Sequence, residues 1–295
     1  MIGPLIESLR PRQWTKNLLL FAGVLFSQQL GVPGHALRAA SGFLAFSLFA
    51  SAGYLVNDLR DLEADRRHPV KCRRPLASGR LPVALARVAV VPLFAGAVVL
   101  SLGLGFGFIV VAAAYLGLTL LYTFTLKHRV LLDVFAIAIG FVLRAIAGVV
   151  LLKPVAPRTE LSPWLLVCTF FGALFLALAK RRRELANAGE QAASQRAVLD
   201  RYGPELLNGL LLVSAAASLM AYALYTIWPG TVAKFGTEAL LYTIPFVAYG
   251  IFRYLYLMTT TEHGEDPSYL LVADRPLAIC VALYLVTVLA ILYRR

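Results

Sequence analysis

Long apolar runs alternate with short polar stretches along the whole chain, and the runs are too long for strands. A helix needs roughly 20 apolar residues to cross about 30 Å of hydrocarbon. Nine stretches come near that length: about 17–32, 36–56, 83–102, 106–125, 131–152, 162–179, 206–228, 239–258 and 276–293. The pattern predicts an all-α, polytopic membrane protein with about nine transmembrane helices. The first run is short and ends in Ser27-Gln28-Gln29, which predicts a tilted or incompletely inserted segment. Met1 to Lys16 carries Arg10, Arg12 and Lys16, and no small-residue cleavage site follows the apolar run, so it does not read as a cleavable signal.

The order of runs and loops also predicts a weak internal repeat within one domain covering 1–295. Spans 2 and 6 each run into a long charged loop (57–82 and 180–205), and spans 4 and 8 into shorter ones. The expectation is two four-helix units plus one last helix, with the two long loops facing each other over a central cavity.

Composition sharpens this reading. The chain is 59% apolar and 15% charged, whereas soluble domains average about 45–50% and about 25%. With a mean hydropathy of +0.74, an ordinary soluble enzyme and a disordered chain are both excluded. The net charge of +12 would suggest nucleic acid on a polar domain, but here the cations lie between apolar runs, so no nucleic-acid partner is expected. Cys72, Cys168 and Cys280 are too scattered for a disulfide framework, and His35, His68, His128 and His263 too far apart for zinc or iron.

Loop charge predicts the orientation. With the N-terminus inside, 19 of the 28 Lys and Arg fall on the cytosolic side and six on the other, while Arg87, Arg144 and Arg253 lie within spans. Arg294 and Arg295 are the misfit. Of the acids, only Glu160 and Glu238 fall outside. The positive-inside rule does not require that second asymmetry, and a cytosolic active face in a cell inner membrane would.

The densest acidic cluster is Asn57-Asp58-Leu59-Arg60-Asp61-Leu62-Glu63-Ala64-Asp65. On a helix continuing span 2, at about 100° per residue, Asn57, Asp58, Asp61 and Asp65 share an arc of about 100°, with Glu63 on the other side. Three converging carboxylates repel one another and need a counter-charge. Hard oxygen ligands without His or Cys select Mg²⁺ over zinc or iron. Downstream, Arg66-Arg67-His68-Pro69-Val70-Lys71-Cys72-Arg73-Arg74-Pro75-Leu76-Ala77-Ser78-Gly79-Arg80 is broken by Pro and Gly into a shaped basic loop. Basic side chains beside a carboxylate cluster suit a diphosphate. A lipid-headgroup loop would explain the charge but not the acidic neighbours.

The joint pattern of Asn57-Asp58-x-x-Asp61-x-x-x-Asp65 followed by Lys71-x-x-Arg74-Pro75-Leu76-Ala77-Ser78-Gly79 resembles the first motif of the UbiA prenyltransferase superfamily. The resemblance implies a nine-helix intramembrane enzyme with Mg²⁺-diphosphate chemistry at the cytosolic face. Aromatic prenyltransferases of that superfamily carry a second Asp-rich motif after helix 6. Here that place reads Ala179-Lys180-Arg181-Arg182-Arg183-Glu184-Leu185, one carboxylate among four cations. With Arg10-Pro11-Arg12-Gln13-Trp14-Thr15-Lys16-Asn17, Leu126-Lys127-His128-Arg129, Leu132-Asp133-Val134, Gly140 to Gly148 and Asp274-Arg275-Pro276-Leu277, it resembles the decaprenyl-phosphate phosphoribosyltransferase branch, from about residue 8 to about 290. Tyr122 and Lys127 resemble the superfamily's Tyr-before-Lys motif, at a spacing of five.

That branch implies transfer of the 5-phosphoribosyl group of phosphoribosyl diphosphate (PRPP) to a polyprenyl phosphate, with release of pyrophosphate. Both substrates are anionic, which suits the surplus of cations, and a lipid-tailed acceptor suits a cavity open sideways to the bilayer. The expected metal ligands are Asn57, Asp58, Asp61 and Asp65, with the three acids also counted as catalytic. The expected substrate contacts are Lys16, Asn17, Lys71, Arg74, Tyr122, Lys127, Asp133, Arg144, Lys180 and Glu184, of which Lys71, Arg74 and Lys127 are the direct phosphate contacts. Mid-span, Arg144 is costly unless paired or hydrated, which points to a cavity residue. Asp133 alternatively complements a helix dipole, Glu184 pairs with Lys180, and Arg253 snorkels. Asp266 and Asp274 are placed to cover the site. The phenylalanines Phe43, Phe46, Phe49, Phe170, Phe171 and Phe175 read as packing, and Trp14 and Trp164 as belt residues. A homo-oligomer, including a trimer, is compatible with this reading. The rival readings are an aromatic prenyltransferase of the same superfamily and a transporter or lipid-binding scaffold.

Overall fold

A computed structural model describes residues 2–188, 199–260 and 273–293. Among these the chain is helical without strands. Its α-helices are α1 (Ile2–Leu9), α2 (Phe21–Phe26), α3 (Pro33–Arg60), α4 (Leu62–Arg67), α5 (Val83–Leu102), α6 (Phe106–Phe124), α7 (Leu132–Val150), α8 (Pro163–Ala188), α9 (Pro204–Ile227), α10 (Pro229–Phe235), α11 (Ile244–Thr260) and α12 (Arg275–Tyr293). Eight helical segments among the described residues are long and apolar enough to cross a membrane. They match the second to ninth predicted runs. Asp266 lies outside the described residues.

The first predicted run is where sequence and structure part. Residues 11–20 form a 3-10 helix, followed by the six-residue α2. Runs of 3-10 helix beyond three or four residues are uncommon, and this one is held from outside. At three residues per turn, Trp14, Asn17 and Leu20 share a face. Trp14 Nε1 donates to Ser51 Oγ at 3.1 Å, and Asn17 Nδ2 donates to Ser47 Oγ at 3.0 Å. Ser51 Oγ in turn donates to the Leu9 carbonyl at 2.9 Å. The leg thus runs antiparallel to α3, whose residues 47, 51, 54 and 58 form one helical stripe. From residue 10 to 17 a 3-10 helix rises about 14 Å, against about 16 Å along α3 from Ser47 to Asp58; an α-helical leg would rise only about 10 Å and lose register.

The chain divides into two compact units rather than two four-helix sets. One comprises 1–127 and 143–161, the other 128–142 and 162–295, and one boundary falls inside α7. The first unit's core gathers Leu20, Val24, Phe46, Phe49, Phe108, Tyr115 and Leu151. Phe46 lies 5.6 Å, edge on, from Phe108 and 4.9 Å from Tyr115. On α5 the small residues Ala86, Ala89 and Ala97 are buried while Val88, Val91 and Val99 face outward, as expected where the solvent is lipid. Gly23 and Gly148 let α2 and the second half of α7 touch backbone to backbone: a Cβ on Gly148 would lie 2.2 Å from the Leu20 carbonyl oxygen. Arg38, on the side predicted to be poor in cations, donates to the carbonyls of Leu151 at 3.0 Å and Leu104 at 2.8 Å, just past the C-termini of α7 and α5, where a positive charge suits the helix dipole.

The second unit packs α8 against α9, with Leu174, Phe175, Leu178, Leu207, Leu211 and Tyr254 in its core. Phe175 and Tyr254 meet edge on at 5.5 Å. Trp164 lies 5.5 Å from Trp228.

A carboxylate–cation cluster as the candidate functional site

The first unit carries the acidic motif where α3 ends. Asp61 leaves helical geometry at φ −90, ψ 8. The amide bonds Asp61 N–H to Asn57 O (2.9 Å) and Asp65 N–H to Asp61 O (2.8 Å) nevertheless keep the helical spacing across the break. The basic loop then folds back. Leu76 and Leu81 are buried against Leu55, Leu59 and Leu62, and Gly79 turns at φ +78, which a side chain would strain. Ser78 Oγ donates to the Arg74 carbonyl at 2.8 Å, and Arg80 reaches Glu7 at 2.9 and 3.0 Å, tying the loop to α1.

This folding sorts the four predicted metal ligands into two pairs. Asp58 and Asp65 face Arg74, whose Nη1 lies 3.1 Å from Asp58 Oδ1 and 2.6 Å from Asp65 Oδ2. Arg10 closes on Asp58 from the other side, its Nη2 at 2.5 and 2.8 Å from the two oxygens and its guanidinium 4.7 Å above the Tyr54 ring. Arg10 sits in the left-handed region at φ 54, strain that surrounding contacts sustain. Asn57 and Asp61 face Lys127 instead: its Nζ lies 2.6 and 2.7 Å from the Asp61 oxygens and 3.3 Å from Asn57 Oδ1. Burial lifts the Asp65 carboxyl above its ordinary value, against the pull of Arg74 and the nearby Lys71, with the Asp58 carboxylate adding to the lift.

A divalent cation can be tested against these groups. Among the described residues, no three His, Cys, Asp or Glu side chains stand together as a metal cage. Mg²⁺ does not need one: it takes one or two carboxylates and completes its shell with water and phosphate. The Asn57–Asp61 oxygens already cradle a cation, the Lys127 ammonium, and are hard donors. The residues therefore fit Mg²⁺ as an open site rather than as the four-ligand cage expected from the sequence.

Deeper in the same unit, Arg144 is buried. Its Nε donates to Asn17 Oδ1 at 2.7 Å and its Nη2 to the Tyr115 hydroxyl at 2.8 Å, with the guanidinium 4.7 Å from the Tyr115 ring. Asn17 thereby links Ser47 on α3 to Arg144 on α7. Lys16, Lys71 and Tyr122 are half-buried in this unit.

The other candidates belong to the second unit. Asp133 is 0% exposed; Oδ2 accepts from Arg181 Nε at 2.6 Å and Oδ1 from the Tyr202 hydroxyl at 2.7 Å. Tyr202 also accepts from the Leu131 N–H at 2.7 Å, holding that residue at φ 66. Burial and the bond to Asp133 push the Tyr202 phenol well up. Arg181, 1% exposed, also pairs with Glu184. The four-cation run is thus no single surface: Arg181 and Arg183 are buried, Arg182 donates to Asn208, and Lys180 lies 3.9 Å from Glu184. Arg253 pairs with Asp274 at 2.8 Å, and Asp274 also caps α12 through the Leu277 N–H at 2.9 Å.

Arg10, Tyr115, Arg181 and Tyr202 were missed as individual residues. Glu184 three places after Arg181 was an available signal for that pair; nothing local marks Arg10 or Tyr202, whose partners lie 48 and 69 residues away.

An all-α fold of membrane-length helices, with an acid–base cluster where α3 meets a shaped basic loop, defines a polytopic membrane protein. The chain belongs to the UbiA prenyltransferase family, which matches residues 18–273. It is 38% identical over 229 residues to a decaprenyl-phosphate phosphoribosyltransferase of Mycolicibacterium smegmatis, covering 76% of this chain and 70% of that one. It is 35% identical to a protein of the same name from Corynebacterium glutamicum, covering 98% and 86%. In fold it resembles a UbiA homologue from Archaeoglobus fulgidus solved with GPP and Mg²⁺, with a TM-score of 0.72 at 19% identity over 98% of this chain and 99% of that one.

Proposed function

We propose that this protein transfers the 5-phosphoribosyl group from PRPP to a polyprenyl phosphate, decaprenyl phosphate among them, and releases pyrophosphate in a Mg²⁺-dependent reaction. The observation that carries the reading is the pairing of Arg74 and Lys127 with the carboxylates of the first motif. It sets two cations beside hard oxygen donors at the end of a membrane helix. The names of the relatives supply the substrates. The excess of Lys and Arg in the loops on one side supports an inner-membrane protein with its N-terminus and this cluster toward the cytosol.

As the bond from the anomeric carbon to the diphosphate breaks, positive charge grows on the ribose and negative charge on the leaving group. Mg²⁺, when bound at Asn57 and Asp61, would supply neutralisation of that leaving charge. Lys127, Arg74 and Lys71 are the side chains we assign to the phosphate oxygens. Asp58 and Asp65 hold Arg74 in place, and Arg10 fixes Asp58. The acceptor phosphate is already anionic near neutral pH, so it needs positioning and no general base. In-line attack inverts the anomeric centre. Asp133, with both oxygens engaged, is assigned to anchoring Arg181; Lys180 and Glu184 stand as further substrate contacts, as do Lys16, Asn17, Tyr122 and Arg144.

A prenyltransferase acting on an aromatic acceptor is the second reading. The region of a second acidic motif argues against it, since its single carboxylate, Glu184, is engaged by Arg181. Purified protein incubated with labelled PRPP, Mg²⁺ and decaprenyl phosphate tests the choice. Lipid-dependent pyrophosphate release supports the proposal; turnover only with a prenyl diphosphate and a phenol overturns it.

A further inference from the structure

We propose that Lys127 is the resident counter-ion of the metal position, so that the divalent cation loads together with a diphosphate and not before it. This deepens the reading above and rests on its placing a diphosphate at this cluster.

The argument is one of charge and space. Asp58, Asp61 and Asp65 are ion-paired by Arg10, Arg74 and Lys127, with Lys71 adding a further positive charge nearby. The two arginines are committed to the Asp58–Asp65 side. On the other side the Lys127 side chain is 10% exposed, and its ammonium donates to both Asp61 oxygens and to the Asn57 amide oxygen. A Mg²⁺ ion would need those same oxygens at about 2.0–2.1 Å. Sharing them with an ammonium a few ångströms away costs the repulsion between the two positive charges. A bare divalent ion must therefore draw Lys127 off the carboxylate it is paired with, and leaves the cluster with excess positive charge.

A diphosphate changes both terms. Its oxygens complete the metal's shell, and they give the displaced ammonium a new acceptor within reach of a flexible four-carbon stem. Lys127 then serves twice: on Asp61 before the donor arrives, and on the phosphate afterwards. A lysine suits this exchange better than an arginine, whose planar fork fixes it to one partner.

The test is metal binding by the purified full-length protein in detergent, with Mn²⁺ as the paramagnetic probe and inorganic pyrophosphate as the diphosphate. Wild type should bind Mn²⁺ at least about tenfold more tightly with saturating pyrophosphate than without it, after correction for the complex formed in solution. Lys127→Met should bind Mn²⁺ alone at least about tenfold more tightly than wild type does, while its pyrophosphate affinity falls. Adding Asp61→Asn to Lys127→Met should remove that gain. Gel filtration checks that each variant is folded; should Lys127→Met fail to fold, Lys127→Gln, which removes the charge and keeps a polar side chain, takes its place. Equal Mn²⁺ affinity with and without pyrophosphate overturns the inference, as does a folded Lys127→Met with unchanged Mn²⁺ affinity. Wild-type turnover of PRPP with decaprenyl phosphate, measured in parallel, separates the two levels. Turnover together with tight binding of Mn²⁺ alone sinks only the counter-ion role. No turnover, with neither Mn²⁺ nor pyrophosphate bound, sinks the site and this inference with it.

Discussion

Two arginines show how context sets the worth of a charge. Arg10 is part-exposed and shares Asp58 with Arg74. Replacing it by Gln removes the charge-assisted contact to both Asp58 oxygens, such bonds being typically worth about 1.5–3 kcal/mol each, and lets Asp58 draw Arg74 away from Asp65. The expected outcome is a PRPP KM raised on the order of tenfold or more with a smaller loss in kcat; steady-state kinetics at saturating lipid acceptor checks it. Arg181 is fully enclosed with Asp133, and removing one partner of a buried pair costs about 3–5 kcal/mol because the other charge is stranded. Arg181→Met should therefore lower the melting temperature in detergent far more than Arg182→Met, and Asp133→Asn introduced beside it should recover part of the loss. From the sequence, Lys180 to Arg183 reads as one basic patch. Which of four adjacent cations is enclosed depends on Asp133 and Tyr202, which reach it through the fold and leave no mark in the local pattern.

Among the elements, the membrane helices were readable because the length of an apolar run has a direct physical meaning: the hydrocarbon thickness divided by the rise per residue. Residues 11–26 were not, because a run of apolar side chains does not distinguish 3.6 residues per turn from three. The acidic motif was readable as a shared face, since Asn57, Asp58, Asp61 and Asp65 keep helical spacing through the break at Asp61. Its division into two pairs was not, because it depends on where the loop after Cys72 returns Arg74. Helix contacts give a sharper prediction. Gly148→Ala would put a Cβ 2.2 Å from the Leu20 carbonyl oxygen, so backbone must move. Overpacking of this kind costs about 1–3 kcal/mol or more. Gly172→Ala, whose nearest neighbour is the Ser218 hydroxyl at 3.6 Å, should be neutral or slightly stabilising. Thermal unfolding of the two variants side by side checks the contrast.

For the whole molecule, the charge at the start of α12 should hold until strong acid. The hydrogen bond from Arg253 holds the Asp274 carboxyl below its ordinary value, against a desolvation cost, with the Leu277 amide helping. A carboxyl lowered in the folded state contributes its full stability above the unfolded value of about 3.9 and loses it as pH falls through the lowered one. Asp274→Asn keeps a cap for Leu277 but not the charge. The melting-temperature gap between wild type and this variant should be constant from pH 7 to about pH 5 and close below about pH 4. A gap that widens on acidification contradicts the assignment.

The 3-10 leg has one more consequence. Because Arg10 and Asn17 are both docked on α3, residues 10–17 behave as a calliper whose jaws are set to a fixed opening. One inserted residue would add about 2 Å and a third of a turn, so only one jaw could close. Side-chain changes along the leg's outer face leave the opening untouched; changes in its length do not. The count of residues between Arg10 and Asn17, more than their identity, is what the far end of the molecule's polar relay, Arg144, depends on.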